Sequence, residues 1–239
     1  MEKSNKLLFF GLIVGLSLII SAGLVAKTFL AVKNLDNVIS VSGSAKQKVT
    51  SDSARWTGNF SRIAARDNLK DGYTQMKNDE KIVSDFLITQ GFQNSFEISP
   101  VFMNEIYKSD PNSPREYNLI QSIEIKSDDV NKIKELAKNS DQLASQGIIF
   151  SANPVEYYYS KLPELRISLL PEAIKDAKQR AEMISSSSNK TVDTVKSVTM
   201  GVVQVMPVGA VEVSDYGSYD TSGIEKEVMI TVKTIFSLK

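Results

Sequence analysis

The chain has no cysteine and no histidine among its 239 residues. Without thiolate or imidazole, the usual zinc, copper and haem ligand sets cannot be assembled, and neither Cys-His nor Ser-His-Asp nucleophilic chemistry is available. Disulfides and a lipid-modified N-terminal cysteine are also excluded, so thiol usage says nothing about redox compartment. Carboxylates, Lys, Tyr, Ser and Thr remain as the groups able to do chemistry. Glycine is never clustered in the way a phosphate-cradling loop requires: Gly43, Gly58 and Gly72 stand alone. There is no excess of charge either, with 28 basic side chains against 28 acidic ones.

That neutrality is unevenly distributed. Residues 1–33 hold Lys3, Lys6, Lys27 and Lys33 against Glu2 alone, leaving 24 basic and 27 acidic side chains in the remainder. A net-negative body argues against nucleic acid as a partner, because phosphate-binding surfaces concentrate Lys and Arg.

What the chain does have is a long apolar run. From Leu7 to Ala26 it reads LLFFGLIVGLSLIISAGLVA, uncharged throughout and preceded by Lys3 and Lys6. At about 1.5 Å per residue such a run spans a hydrocarbon core of roughly 30 Å. A secretory signal peptide begins alike, but its apolar region is shorter and ends at a small-x-small site; here Leu24 stands three before a cut after Ala26. The run predicts a transmembrane helix acting as an uncleaved anchor. With the N-terminus held inside, the body leaves the cytoplasm, although Lys27 and Lys33 soften the charge asymmetry that sets orientation. The expected organisation is a membrane anchor over 1–33 and one extracytoplasmic domain over 34–239.

Past a polar link at 34–37 the hydropathy period becomes two. Ile39, Val41 and Ala45 share a face, with Gly43 marking a bulge or a close backbone approach; Ala54, Trp56, Gly58 and Phe60 alternate with Arg55, Thr57, Asn59 and Ser61. With Thr50, Ser51 and Asp52 between them, the two runs predict an antiparallel hairpin. Asp67 is placed to cap a helix ending near Gln90, with Leu69, Tyr73, Met76, Val83 and Leu87 at helical spacing and Gly91 beyond it. Strands are expected over 96–107 and 117–126, separated by the turn-formers Pro111, Asn112 and Pro114. A helix follows from Ser127, with Asp128 and Asp129 in its first turn, an apolar stripe of Val130, Ile133, Ala137, Leu143 and Ala144, and Gly147 at its end.

A short strand over 147–154 precedes a helix over 164–187, whose expected buried face is Leu170, Ala173, Ile174, Ala177, Ala181 and Ile184, with an Asp176–Arg180 pair one turn apart. Pro171 predicts a kink or restart. A strand over 192–205, a long mobile acidic loop over 207–225 and a final strand with Val228, Ile230, Val232, Phe236 and Leu238 alternating complete the chain. This order predicts an α+β fold, an antiparallel or mixed sheet covered by helices and preceded by the one transmembrane helix.

Four segments resemble the SIMPL-domain family, which includes a YggE-like oxidative-stress protein and a periplasmic immunogenic protein. They are VISVSGSAKQKVTSDSARWTGNF, YNLIQSIEIKSDDVNKIKELAKNSDQLASQGI, the helix LLPEAIKDAKQRAEMI and the closing alternating strand. The resemblance implies an extracytoplasmic α+β domain that self-assembles into a homo-oligomer, ring-shaped or channel-like in at least one relative, with an envelope or stress role. It carries over no catalytic, cofactor or metal residues. Pro171 departs from the family's helix pattern and puts only that helix's straightness in doubt.

Several residue groups invite a sharper reading. Tyr157, Tyr158 and Tyr159 suit a stacking platform for a ligand, or one core tyrosine with two at a subunit interface, the latter being favoured. Asp128 and Asp129 suit a cation or, more simply, helix caps. Glu172, Asp176 and Glu182 resemble an acid-base set, but interleaved Lys175, Lys178 and Arg180 describe a solvated helix face. Ser185–Ser188 end a helix, and Trp56 belongs to a core or an interface. Asn59-Phe60-Ser61 and Asn189-Lys190-Thr191 match the glycosylation sequon, which carries meaning only outside bacteria. The leading expectation is a non-enzymatic, membrane-tethered assembly protein without catalytic residues, cofactor or metal. Its rivals are a binding module for a peptide, glycan or lipid built on the loop around Tyr216 and Tyr219, and a hydrolase working with carboxylates alone.

Overall fold

A computed structural model describes residues 2–33, 37–93, 95–110, 113–210 and 214–239. Residues 34–36 of the polar link, the turn-formers Pro111 and Asn112, and 211–213 of the long loop lie outside the described residues. The chain is α+β, with an apolar helix ahead of two sheets. Helix α1 runs Glu2–Lys33, and its segment Phe10–Phe29 is long and apolar enough to cross a membrane while burying none of itself against the rest of the chain. A helix without a polar face gains nothing from water on any side, which is why it needs either a bilayer or a large core.

The chain falls into two compact units interleaved in sequence: Lys46–Ile167 with Val203–Met229, and Met1–Ala45 with Ser168–Val202 and Ile230–Lys239. The larger unit is built on a six-stranded antiparallel sheet. Strands β2 (Ser53–Ala65) and β5 (Glu116–Ser127) form its centre, paired over twelve residues from Ala54↔Ser127 to Ala65↔Glu116. Strands β3 (Phe96–Ile98) and β4 (Phe102–Ile106) pair with β5, while β6 (Ile149–Ala152) and β7 (Glu156–Tyr158) pair with β2. Ser99 and Pro100 divide the single strand expected over 96–107, since proline cannot donate to a ladder.

Helices α2 (Leu69–Thr89), α3 (Val130–Asn139) and α4 (Asp141–Ser145) cover one face. Trp56, Phe60, Met76, Leu87, Ile123, Ile125, Ile133 and Leu143 form the centre of that core. The alternation read from 54–60 is correct: Ala54, Trp56, Gly58 and Phe60 are buried and their neighbours half-exposed. Trp56 packs its ring 5.8 Å from Phe150, in the core. Gly91 and Gly147 follow α2 and α4 at φ +85° and +79°, conformations glycine adopts without strain. Two expectations shift: Tyr73 is exposed, and Asp67 lies in a short 3-10 turn rather than capping α2.

The predicted hairpin does not form. Strand β1 (Val38–Thr50) belongs to a second sheet, ordered β1-β11-β9-β10, where β9 is Gln204–Pro207, β10 Ser218–Tyr219 and β11 Glu225–Leu238. The reason lies in the two-residue link: Ser51 N–H donates to Ile224 O at 2.9 Å and Asp52 N–H to Tyr158 O at 3.0 Å. Those donors are taken by distant segments, so the chain passes from one sheet to another instead of turning back. This second sheet is mixed, because β10 runs parallel to β9 while β11 is antiparallel to β9.

In the smaller unit, β8 (Val192–Met200) pairs with β11, and helix α5 (Leu162–Ser186) packs on β1. Helix α5 passes Pro171 without a restart. Its buried row in this unit is Leu169, Ala173, Ala177, Ala181 and Ser185, each four residues apart; Ile184 faces out and Leu170 and Ile174 are half-buried. Spacing alone did not separate the i,i+4 row of alanines from the adjacent branched residues. The alanines are selected by how near the strand comes. A Cβ built on Gly43 falls 2.2 Å from Ala173 O and 2.4 Å from Ala177 N, and the Ser44 N–H donates to Asp176 Oδ2 at 2.8 Å. Asp176 also accepts from Arg180 at 3.1 Å, the pair the sequence predicts.

Gly43→Ala will therefore force α5 off β1 and cost about 1–3 kcal/mol by overpacking. Urea unfolding measures this, and unchanged stability would show that the close approach is absent.

Candidate functional site

Two charged side chains are buried among the described residues, Asp79 and Lys226, and buried charge is where a site is first sought. Asp79, on the core face of α2, accepts two bonds from Arg62 of β2, from Nε at 2.6 Å and Nη2 at 2.9 Å. Arg62 also donates to Gly147 O at 3.1 Å. This bidentate pair fixes α2 to the sheet and leaves no oxygen free for acid-base work. Sequence reading missed it, because Arg62 and Asp79 each look like a surface residue of an amphipathic element.

Lys226 is fully buried at the start of β11. Its ammonium donates to Asp220 O at 2.5 Å and Gly223 O at 2.7 Å, stands 3.8 Å from the Asp220 carboxylate and lies over the Tyr219 ring at 5.9 Å. Burial pushes its pKa down, and Asp220 opposes that push. The acidic loop is accordingly not loose over its second half. Gln204 holds Ser214 O and Ser218 Oγ, Asp220 N–H donates to Val205 O at 2.8 Å, and Tyr157 N–H donates to Thr221 O at 2.8 Å. The expectation of a mobile loop over 207–225 is corrected for 214–224, a segment held at Ser214, Ser218, Asp220, Thr221 and Gly223 by Gln204, Val205, Tyr157 and Lys226.

The tyrosines separate by role. Tyr157 is in the core, Tyr158 donates to Glu156 Oε2 at 2.8 Å and stacks 5.8 Å from Tyr219, and Tyr159 N–H donates to the Tyr219 hydroxyl at 2.9 Å. With one ring buried, the three do not form a continuous stacking platform. Tyr216, by contrast, is 96% exposed. Asp52 completes the cluster by accepting from Ser160 N–H and Ser160 Oγ, both at 2.7 Å. Partial burial tends to raise its pKa, yet the Ser160 hydrogen bonds and nearby Lys161 hold it below the usual aspartate value.

Beside this cluster the uncovered face of the six-stranded sheet carries an ion network. Arg55 donates to Glu124 Oε2 at 3.0 and 2.6 Å and to Glu156 at 3.2 Å, and Lys126 meets the other Glu124 oxygen at 2.6 Å. Lys126 and Arg55 together keep Glu124 below the ordinary glutamate range. A shallow groove of about 400 Å³ lies over Arg55, Glu124, Lys126 and Tyr158, and one of about 530 Å³ adjoins it over Thr57, Asn59, Glu97, Ser122 and Asn153. Its lining mixes charged, polar and apolar side chains, with Ile98, Pro100 and Ile123 beside the ion network.

The remaining sequence candidates do not converge. Asp129 caps α3, accepting from Lys132 N–H at 2.9 Å, and Asp128 precedes it outside the helix. Asp176 is engaged by Ser44 and Arg180, Glu182 lies 3.7 Å from Lys178, and Glu172 is exposed. Among the described residues no three acids come close enough together to hold a metal ion. Asn59 accepts from Ser122 Oγ at 2.7 Å, and Asn189 sits at φ 53° just past α5.

An apolar N-terminal helix with the length of a membrane anchor or signal sequence, followed by an α+β body of antiparallel and mixed sheets, defines the class of domain. Within that class the assignment is direct: residues 39–236 match the family model SIMPL, "Protein of unknown function (DUF541)", and the chain belongs to the SIMPL family. No curated protein matches it.

Two substitutions test the cluster. Lys226→Met will leave two buried carbonyls without their donor, destabilise by about 1–3 kcal/mol in urea unfolding and open 214–224 to limited proteolysis; an unaltered digestion pattern would contradict the latch. Asp52, with its pKa depressed in the fold, contributes stability that is full above the unfolded value of 3.8 and lost as pH falls through the lower folded value. Asp52→Asn will flatten that acid limb in thermal melts between about pH 5 and 2.

Proposed function

We propose that this protein is a membrane-tethered assembly module, non-enzymatic, whose folded part lies outside the cytoplasm and self-associates in the cell envelope. The observation that carries this reading is α1. Its twenty-residue apolar segment Phe10–Phe29 is uncovered by the rest of the chain, and three residues separate Lys33 at its end from Asn37 ahead of β1. Three residues permit no intervening domain, so the folded units stand at the membrane. The absence of histidine and cysteine from the sequence, and the pairing of Asp79, Asp176 and Glu124 with cations, support a role without chemistry. The SIMPL resemblance supports self-association and an envelope or stress role.

A second reading, an extracytoplasmic binding module for a peptide, glycan or lipid, is favoured by the groove over Arg55, Glu124 and Asn153 and by the exposed Tyr216 at its own loop. Arg55→Ala and Tyr216→Ala would then each remove ligand binding without unfolding the chain.

The test of the leading reading uses the full chain expressed in membranes. It should stay in the pellet after an alkaline wash, be digested by protease added to the extracytoplasmic side, and run above monomer mass by light scattering in mild detergent. Release by alkali would overturn the tether, and a monomer would overturn the assembly.

A further inference from the structure

Strand β8 is built as though something covers it. It has one neighbour among the described residues, β11, and its other edge pairs with no strand among them. Such an edge is a template for a further strand unless it is short, bulged away or charged. Here the register contains two irregularities, and they act on the side chains. Met200 lies opposite Val232, Val198 opposite Thr234, Val195 opposite Phe236 and Val192 opposite Leu238. Residues directly opposite in a ladder share a face, so the two extra residues re-aim Val195 and Val192 to join Val198 and Met200. Every apolar side chain of β8 thereby faces the side of the sheet that is buried at β11.

The burial stops at β11. Val232, Thr234 and Phe236 are at most 1% exposed, whereas Val195, Val198 and Met200 opposite them are 49%, 41% and 39% exposed. The sheet is one strand wider than the helix that covers it. Polar residues occupy the reverse side: Thr194 meets Ser237 at 2.8 Å, Asp193 meets Lys239 at 2.5 Å, and Lys196 has no ion pair among the described residues.

We infer that the free edge of β8 pairs antiparallel with β8 of a second copy of this chain, about a two-fold axis at Val195. The free edge requires an extended strand as its occupant, and the match of β8 to itself names that strand. In that register Val195 faces Val195, Val192 faces Val198, and the Asp193–Thr194 step of each copy lies against the Lys196–Ser197 step of the other. An axis at Thr194 would set each Asp193 opposite Val195 and each Lys196 opposite Val192, and an axis at Lys196 would set the two lysines against each other. The Val195 register alone among these sets both Val195 and Val198 opposite valine, with each Asp193 one position from the other copy's Lys196, and it extends both the hydrogen-bond ladder and the apolar strip. Confinement of both copies to one membrane by α1 raises their effective concentration. This inference rests on the self-association reading and names its surface.

The cysteine-free sequence makes the test direct, since any disulfide must come from an introduced thiol. Val195→Cys and, separately, Thr199→Cys are placed in the full chain in mild detergent and oxidised gently. Across the axis the Val195 positions stand about 4.5–5.5 Å apart at Cα, within reach of a disulfide, while the Thr199 positions are more than about 20 Å apart. The expected result is a covalent dimer from Val195→Cys at least tenfold faster than from Thr199→Cys. Lys196→Asp should slow that cross-linking several-fold in the Val195→Cys background, and Asp193→Lys added to it should restore the rate. Equal rates at 195 and 199, or no cross-link from a chain that light scattering shows to be oligomeric, would overturn the β8 pairing while leaving self-association intact. A monomeric chain would overturn both.

Discussion

Asp52 stands where the chain leaves one sheet for the other, and the arrangement of the larger unit depends on how that point is held. Its carboxylate takes both polar groups of Ser160, its amide donates to Tyr158, and the amide of Ser51 donates to Ile224. Three stretches remote in sequence are joined there, 51–52, 157–160 and 220–224. Without those bonds β1 and β2 have the alternation and the connecting turn of an ordinary hairpin. With them, β2 is free to take β5 on one side and β6 and β7 on the other, and so to become the centre of a six-stranded sheet. Lys226 then closes the same region by drawing the 220–223 backbone onto the start of β11.

Buried charge among the described residues is paired. Asp79 answers Arg62, and Lys226 answers two carbonyls and a carboxylate, so each desolvated group finds the partners that offset its cost. The exposed polar face over Arg55 and Glu124 follows the same rule on a wetter surface. Where the molecule is unsatisfied, it is unsatisfied in apolar cover and strand pairing: along Phe10–Phe29, and along β8. Both are features that a bilayer or another polypeptide would complete.

Features set by local spacing were legible in the sequence. The apolar run of α1, the alternation at Trp56 and Phe60, the closing strand from Val228 to Phe236, the helix ends at Gly91 and Gly147 and the close approach at Gly43 all follow from residue type and period. The failures share another cause. The hairpin between β1 and β2 and the buried row of α5 depend on partners more than a hundred residues away or on how near two backbones come, and the ordered course of 214–224 depends on partners outside the loop, from Gln204 and Val205 to Tyr157 and Ser51. Nothing local to Lys226 marks it as buried, since its partners Asp220 and Gly223 acquire meaning only once the loop folds over β9. The strip on β8 was hidden for a related reason: VDTVKSVTM alternates poorly until two bulges place its valines on one side.

The central claim is that a tethered chain completes itself by strand pairing at β8. Amide hydrogen exchange along 192–200, measured in membranes at high and low protein density, tests it most directly. Slow exchange at high density that becomes fast on dilution, with β11 protected in both, is the predicted result. Exchange along β8 that is equally fast at both densities would contradict the account.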